Sequence, residues 1–499
     1  MTDFSKIRGG APVDVLVLVN TDNDTILGNG SQKFPIRVNT DSAPFVAQTV
    51  VVHASPLGSD ETGDGSAENP YATFQYAVTK VPTVVPAGTI YVIDITGITE
   101  TLPDNYTLPP WKSAFVYDAG DTTWKVKAAV NIQATPELVP LSPPTDATVA
   151  AADIASTTVD PITKLIKVTI GAARASWGSN ALKGKQILTG NANDNCVIYE
   201  SDTTHLYLTT TTVPPTPFTI VQPSATLSAD LDNSEAVIQA YNCDSIAFNG
   251  IRIIGDSDSG VPGLSVGGNS MCIAQLCELG TPQIVTVNSE YTRLVRSWVY
   301  GSPFLASSGL YLNSCFMDTC TDAAFVASPA STSLDISACV FDGCDPIEAT
   351  LELNTESPLA LGVFAISNTL IRNGDGDGVI FHGSYGFITA CDIYACAGNG
   401  VTCAQGSGFL NLGVGTGIVG SSGAANANYG IQVSDGIKVN VNAATIGASS
   451  PLNGTSAQIA VGALAPTDWA TFGDGSNLYD ITAVDPVAGA TGSGSRLYG

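Results

Sequence analysis

Between residues 240 and 450 the chain repeats itself about every 24 residues, a period that limits it to a solenoid. Four Cys-x4-Cys pairs mark the repeat: Cys272/Cys277, Cys315/Cys320, Cys339/Cys344 and Cys391/Cys396. Other segments align to them when units start at Ile251, Cys272, Ser297, Cys315, Cys339, Thr369, Cys391, Thr416 and Ala444. Two residues after each start stand Ile253, Ala274, Val299, Met317, Phe341, Ile371, Ile393, Ile418 and Ile446, all apolar. This column is expected to point inward. Three residues further on come Asp256, Cys277, Ser302, Cys320, Cys344, Gly374, Cys396, Ser421 and Ser449, small enough for a tight corner. A strand parity and a corner that recur together imply stacked coils, and no single coil can bury its own faces.

Composition agrees with an all-β chain. Among 499 residues there are 50 glycines and 28 prolines, and only 13% are charged, with short Val/Ile/Thr runs between Gly/Asn/Asp/Ser clusters. The expected fold is a right-handed parallel β-helix of about nine coils, the number of aligned units. A net charge of −26 repels phosphate polyanions, so no nucleic acid partner is expected. No leader-like apolar segment follows Met1 and no apolar run is long enough for a span, so neither export nor membrane insertion is expected. Synthesis in the cytoplasm then implies reduced thiols for the eleven cysteines. The three histidines, His53, His205 and His382, lie far apart, which weighs against a zinc site or a His-dependent nucleophile. No cofactor is expected.

Five segments follow. Residues 1–45 form an N-terminal attachment segment, 46–149 the start and cap of the coil, 150–235 an inserted small β module, 236–462 the β-helix, and 463–499 a Gly/Ser/Ala-rich tail. Asn69 and Pro70 are expected to open a short capping helix with Tyr71, Phe74 and Val78 on one face. This stretch resembles the start of pectate-lyase-like β-helices, where such a helix covers the open end of the coil. Asp24-Thr25-Ile26-Leu27-Gly28-Asn29-Gly30 with Phe34-Pro35-Ile36-Arg37-Val38 resembles a short module near the ends of phage tail-fibre proteins, with Asn29 in place of the usual Asp. Trp177, Leu182-Lys183-Gly184-Lys185 and Phe218-Thr219-Ile220-Val221-Gln222-Pro223 are similar to a block that accompanies β-helices in phage structural proteins. These resemblances imply a tail spike or tail fibre-like protein located in the virion.

Three sets of residues are candidates for a site. Three positions after the unit starts, Tyr300, Asp318, Asp342, Arg372 and Tyr394 are expected to face outward in one column, with rungs about 4.8 Å apart. Two carboxylates at about 5 Å suit a retaining glycosidase, and tyrosines suit sugar rings. The same column also reads as an ion ladder in which Arg372 offsets the repulsion between Asp318 and Asp342. One position after the starts, Ile273, Trp298, Phe316, Val340 and Leu370 would form an exposed apolar patch, so something must cover it. A homotrimer partner is the first choice, which makes Trp298, Phe316, Val340 and Leu370 an oligomer interface, and a segment of the same chain is the alternative. Asp60 and Asp64 form either a calcium loop or a solvated turn. The acidic turns Gly255-Asp256-Ser257-Asp258 and Gly374-Asp375-Gly376-Asp377 lie too far apart to act on one bond.

Polysaccharide lyases of the resembled fold use Arg or Lys for proton abstraction, usually with calcium, and the coil carries Arg252, Arg293, Arg296 and Arg372 but no Arg or Lys with a clustered acidic set. Fold alone does not carry activity. The expectation is therefore a structural tail component, with residues 1–45 binding other virion proteins and host-surface polysaccharide as a further partner. A polysaccharide depolymerase on the same scaffold is the alternative.

Overall fold

The computed structural model describes residues 48–461 with internal gaps, together with the strands Ile26–Leu27 and Arg37–Val38, which pair antiparallel. The remaining parts of the 1–45 segment and the 463–499 tail lie outside the described residues, so the attachment expected of the former is outside them too.

The chain is all-β, and its long sheets are parallel. One sheet of twelve strands runs from Gln48–His53 to Lys438–Val441, and a second of eleven runs from Thr99–Leu102 to Thr445–Ile446. Two five-stranded parallel sheets make up the third side, starting at Tyr106–Thr107 and at Ala349–Leu353. The winding shows in chain order: Ser245–Asn249, Ile251–Ile253 and Leu264–Gly267 occupy three different sheets, and Met271–Gln275 then pairs back on Ser245–Asn249. Each turn thus lies on the one before, as in a parallel β-helix.

The inward column of the eleven-stranded sheet is Ile253, Leu279, Val299, Met317, Phe341, Ile371, Ile393 and Ile418, in continuous register and with no exposed surface. It differs from the sequence expectation at one rung, where Leu279 stands in place of Ala274. Cys272 belongs instead to the twelve-stranded sheet, between Ile246 and Thr292. The residue at the corner on that rung is Cys277. Both cysteines of this pair are buried, so inward parity could not tell them apart.

That corner explains the cysteines. The residue before it has positive φ on the described rungs from Ser245–Asn249 to Tyr385–Thr389: Gly250, Leu276, Arg296, Ser314, Ala338, Asn368 and Ala390. Six of the seven are not glycine, and each such residue costs roughly 1–3 kcal/mol. A bond along the axis helps to offset the cost, because the Leu276 N–H donates to Val295 O, Arg296 to Asn313 O, Ser314 to Ser337 O and Ala338 to Ser367 O on the following rung. On six of these seven rungs the next residue turns a small donor back on the carbonyl two positions earlier, the exception being Ile251 after Gly250. Cys277 Sγ donates to Gln275 O, Cys315 to Asn313 O, Cys339 to Ser337 O and Cys391 to Thr389 O, while Ser297 and Thr369 do the same with hydroxyls. Cysteine, serine and threonine exchange with one another here because each supplies a small buried donor. Burial pushes the Cys277 and Cys391 thiols up to about 12, which keeps the donor proton in place. Both are free thiols, as are Cys315 and Cys339.

The inserted module leaves the coil at this same corner. After Ala129–Gln133 in the twelve-stranded sheet, the chain forms an eight-stranded antiparallel sheet from Glu137–Leu138 to Phe218–Gln222, then rejoins the eleven-stranded sheet at Ala225–Ala229. The module therefore begins before residue 150 and ends before 235, and strands of the coil precede it. Val149, Ile166, Val168, Trp177, Leu182, Ile187, Ile198, Leu206, Phe218 and Ile220 give it a core of its own.

The short helix spans Phe74–Val78, later than the Asn69 start expected, with Thr73 as N-cap. Phe74, Ala77 and Val78 are buried in the core of the coil. Asp60 accepts from the Ala72 and Thr73 N–H groups, and Glu100 from the Phe74 N–H.

Candidate functional site

Beside the inward column, two outward columns run along the eleven-stranded sheet. In the first, Arg252, Glu278, Trp298, Phe316, Val340, Leu370 and Asp392 stand in register, with Glu278 on the rung where Ile273 was expected. In the second, Tyr300, Asp318, Asp342, Arg372 and Tyr394 stand in register on successive rungs.

Because the module leaves at the adjacent corner, it folds back over this face. Leu165, Val197 and Tyr199 of the module pack with Phe316, Val340, Leu370 and Tyr394 of the coil, with Tyr207 and Trp298 at the margin. Phe316 and Val340 have no exposed surface and Leu370 is 6% exposed. The patch assigned to a trimer partner is thus covered by the chain itself, the alternative weighed from sequence. Gly184 allows a close approach: at φ +78°, a Cβ there would sit 2.3 Å from the Trp298 ring. Thr209 of the module adds a hydrogen bond of 2.8 Å to the Ser314 carbonyl.

The charged column is used in the same junction. Lys183 Nζ lies 2.7 Å from Asp318 Oδ1. Arg372 Nη2 donates to Glu200 Oε2 at 2.6 Å and to Asp342 Oδ2 at 2.9 Å, while Asn373 donates to Asp342 Oδ1 at 2.7 Å. Burial works against the Arg372 charge, but Asp342 and Tyr394 outweigh it and hold the guanidinium protonated above its ordinary range. Burial also pushes the Asp318 carboxyl up, against the opposing pull of Lys183. The ion ladder expected from sequence has Arg372 offsetting the repulsion between Asp318 and Asp342; in the structure Arg372 pairs with Asp342 and the module's Glu200, and Lys183 takes Asp318.

A raised carboxyl next to a second carboxylate is the electrostatic pattern of a glycosidase acid. The geometry opposes that use. Asp318 is 6% exposed and Asp342 8%, and both carboxylates are engaged by cations within the junction. Tyr394 is buried and Tyr300 half-buried, with burial pushing the Tyr300 phenol up to about 12. Asp318, Asp342, Arg372 and Tyr394 belong to a clamp between coil and module rather than an open sugar platform, while Tyr300 packs against Trp298 of the coil.

The other candidates are engaged as well. Asp60 caps the helix start, and Asp64 accepts from the Ser66 N–H. Asp377 accepts from the Asn399 N–H and from the Thr402 hydroxyl. Asp256 and Asp258 lie outside the described residues, as does His382. His53 pairs with Asp94 and His205 with Asp202. Among the described residues no three His, Cys, Asp or Glu side chains are grouped to hold a metal ion, and no helix is long and apolar enough to cross a membrane.

No known protein family matches the chain, and no curated protein is similar to it. Among solved structures it is similar to XylC in complex with xylose, at 10% identity over 79% of this chain and 70% of that one, with a TM-score of 0.29. It is also similar to a glycoside hydrolase, at 10% identity over 79% and 93% of the two chains and a TM-score of 0.21. A third similarity is to the Gp54 tailspike of Acinetobacter baumannii bacteriophage AP22 in complex with A. baumannii capsular saccharide, at 8% identity over 76% and 68% and a TM-score of 0.24. The β-helical assignment rests on the strand pairing of this chain itself.

Sequence reasoning missed the module's side of the clamp: Lys183, Gly184, Tyr199, Glu200 and Thr209. One signal was present. Lys183-Gly184-Lys185 sets two cations and a glycine together in an otherwise acid-rich chain.

Proposed function

We propose that this chain is a structural component of a bacteriophage tail or a similar virion-like particle, tail spike- or tail fibre-like, located in the virion. The observation that carries the reading is the clamp. The carboxylates Asp318 and Asp342, on adjoining rungs, fasten a module onto a solenoid, as a rigid body requires, and are not held open to a substrate. The sequence resemblances to tail-fibre and phage structural segments support the same reading.

In this picture the coil is right-handed, as parallel crossover connections almost always are. The helix Phe74–Val78 closes its first turns, residues 1–45 attach it to other tail proteins, and host-surface polysaccharide is a partner of the exposed surface. A homotrimer then needs a face other than the one under the module. The twelve-stranded sheet offers one, where Val363, Tyr385 and Phe387 are 46%, 48% and 40% exposed on adjoining rungs.

Particles purified from a lysate that contains the chain provide the test, using gold-labelled antibody raised against the coil. The expected result is label at tails or surface appendages, with the chain remaining bound through gradient sedimentation. Free chain at the top of the gradient, with unlabelled particles, would overturn the assignment.

A further inference from the structure

At the far edge of the junction, the outward apolar column ends on an acid. Asp392 follows Leu370 in register, is 1% exposed, and its Oδ1 has no hydrogen-bond partner. A buried acceptor left without a donor is costly, and a buried unpaired carboxylate far more so. The module supplies a second acid, Asp160, whose like charge acts on it. Asp160 lies in the turn between Ile154–Val159 and Ile166–Ile170, and its Oδ1 accepts from the Ile162 and Thr163 N–H groups and the Thr163 hydroxyl. Leu165, at the end of that turn, packs in the junction with Leu370 and Tyr394.

The cations nearby are already committed. Arg372, on the neighbouring strand, is bound to Asp342 and Glu200, and Lys164 in the module turn is bound to the Pro161 carbonyl. Tyr394 on the strand of Asp392 and Tyr199 of the module, both buried phenols, also line this end of the junction. Asp392 therefore meets burial and like charge without a compensating cation.

We infer that the module–coil junction is a proton-dependent latch, which Asp392 closes as a neutral acid and loosens when it ionises against the like charge of Asp160. Burial, and then the Asp160 charge, push the Asp392 carboxyl from 3.8 up to about 7 in the closed form. In a loosened junction it returns towards 3.8. Below about pH 4 both forms hold the proton, and above about pH 7 neither does; only between these limits does closure bind a proton. The closed form is therefore favoured at low pH, and closure weakens about tenfold per unit as pH rises through this window.

Hydrogen exchange on the full chain, corrected for the intrinsic pH dependence of exchange, provides the test. Segments 196–209 of the module and 314–320 of the coil report on the junction. Wild type is expected to lose roughly a hundredfold of protection there between pH 5 and pH 8. Asp392→Asn cannot ionise and is expected to stay protected at pH 8. Asp160→Asn, which keeps an oxygen for the turn but removes the charge that raises the Asp392 carboxyl, is expected to lose less protection than wild type between pH 5 and pH 8, with the loss levelling off at lower pH. A flat wild-type profile, the same loss in Asp392→Asn, or a loss in Asp160→Asn as large as in wild type would each overturn the latch.

Discussion

Replacing Arg372 with methionine is expected to lower the unfolding free energy by roughly 3–5 kcal/mol, the cost of removing one partner from a buried ion pair. The substitution keeps much of the apolar stem but leaves Asp342, at 8% exposed, without the guanidinium 2.9 Å away. Glu200 loses the same partner, but its side chain is 36% exposed and water screens it, so Asp342 dominates the effect. Adding Asp342→Asn removes the stranded charge while Asn373 can still bond the side chain, so the double variant is expected to regain part of the loss. Chemical denaturation of the three proteins measures this. A loss below about 1 kcal/mol for Arg372→Met would place the pair in the class of surface bridges, outside a buried junction.

Phe341→Ala is expected to cost about 3–5 kcal/mol, as truncation of a buried aromatic does when the surroundings cannot collapse. Phe341 has no exposed surface and stacks between Met317 and Ile371 on the neighbouring rungs. Backbone hydrogen bonds fix the rung spacing on both sides, so the coil cannot close the gap by sliding. Phe341→Leu, which keeps most of the volume, is expected to cost distinctly less. Equal losses for the two variants in denaturant titrations would contradict a rigidly spaced core.

The period and parity of the repeat were legible because burial forces both. An inward position tolerates only apolar side chains, and a corner tolerates only small ones, so Val299, Met317, Phe341, Ile371 and Ile393 declare themselves in sequence. The Cys272 rung was misread because Cys272 and Cys277 are both buried, and the left-handed residue Leu276 resets the alternation between them. Nothing in residue type marks a left-handed leucine. The column from Tyr300 to Tyr394 was also legible, since register follows from the repeat. Its role was not, because that depends on where the module lands. A fold-back of this kind brings Lys183 to Asp318 across 135 positions of sequence, and no local pattern encodes it. The apolar stripe of Trp298, Phe316, Val340 and Leu370 announced that it was covered without saying by what.

Zero-length carbodiimide cross-linking of the full chain, followed by separation of single-chain from multi-chain products and peptide mass spectrometry, tests the clamp most directly. The ammonium of Lys183 and the carboxylate of Asp318 lie 2.7 Å apart. The expected result is an amide between Lys183 and Asp318 in the single-chain band, lost in Asp318→Asn. Finding that link only in multi-chain bands, or finding Asp318 open to the reagent and unlinked to Lys183, would contradict a module clamped to its own coil.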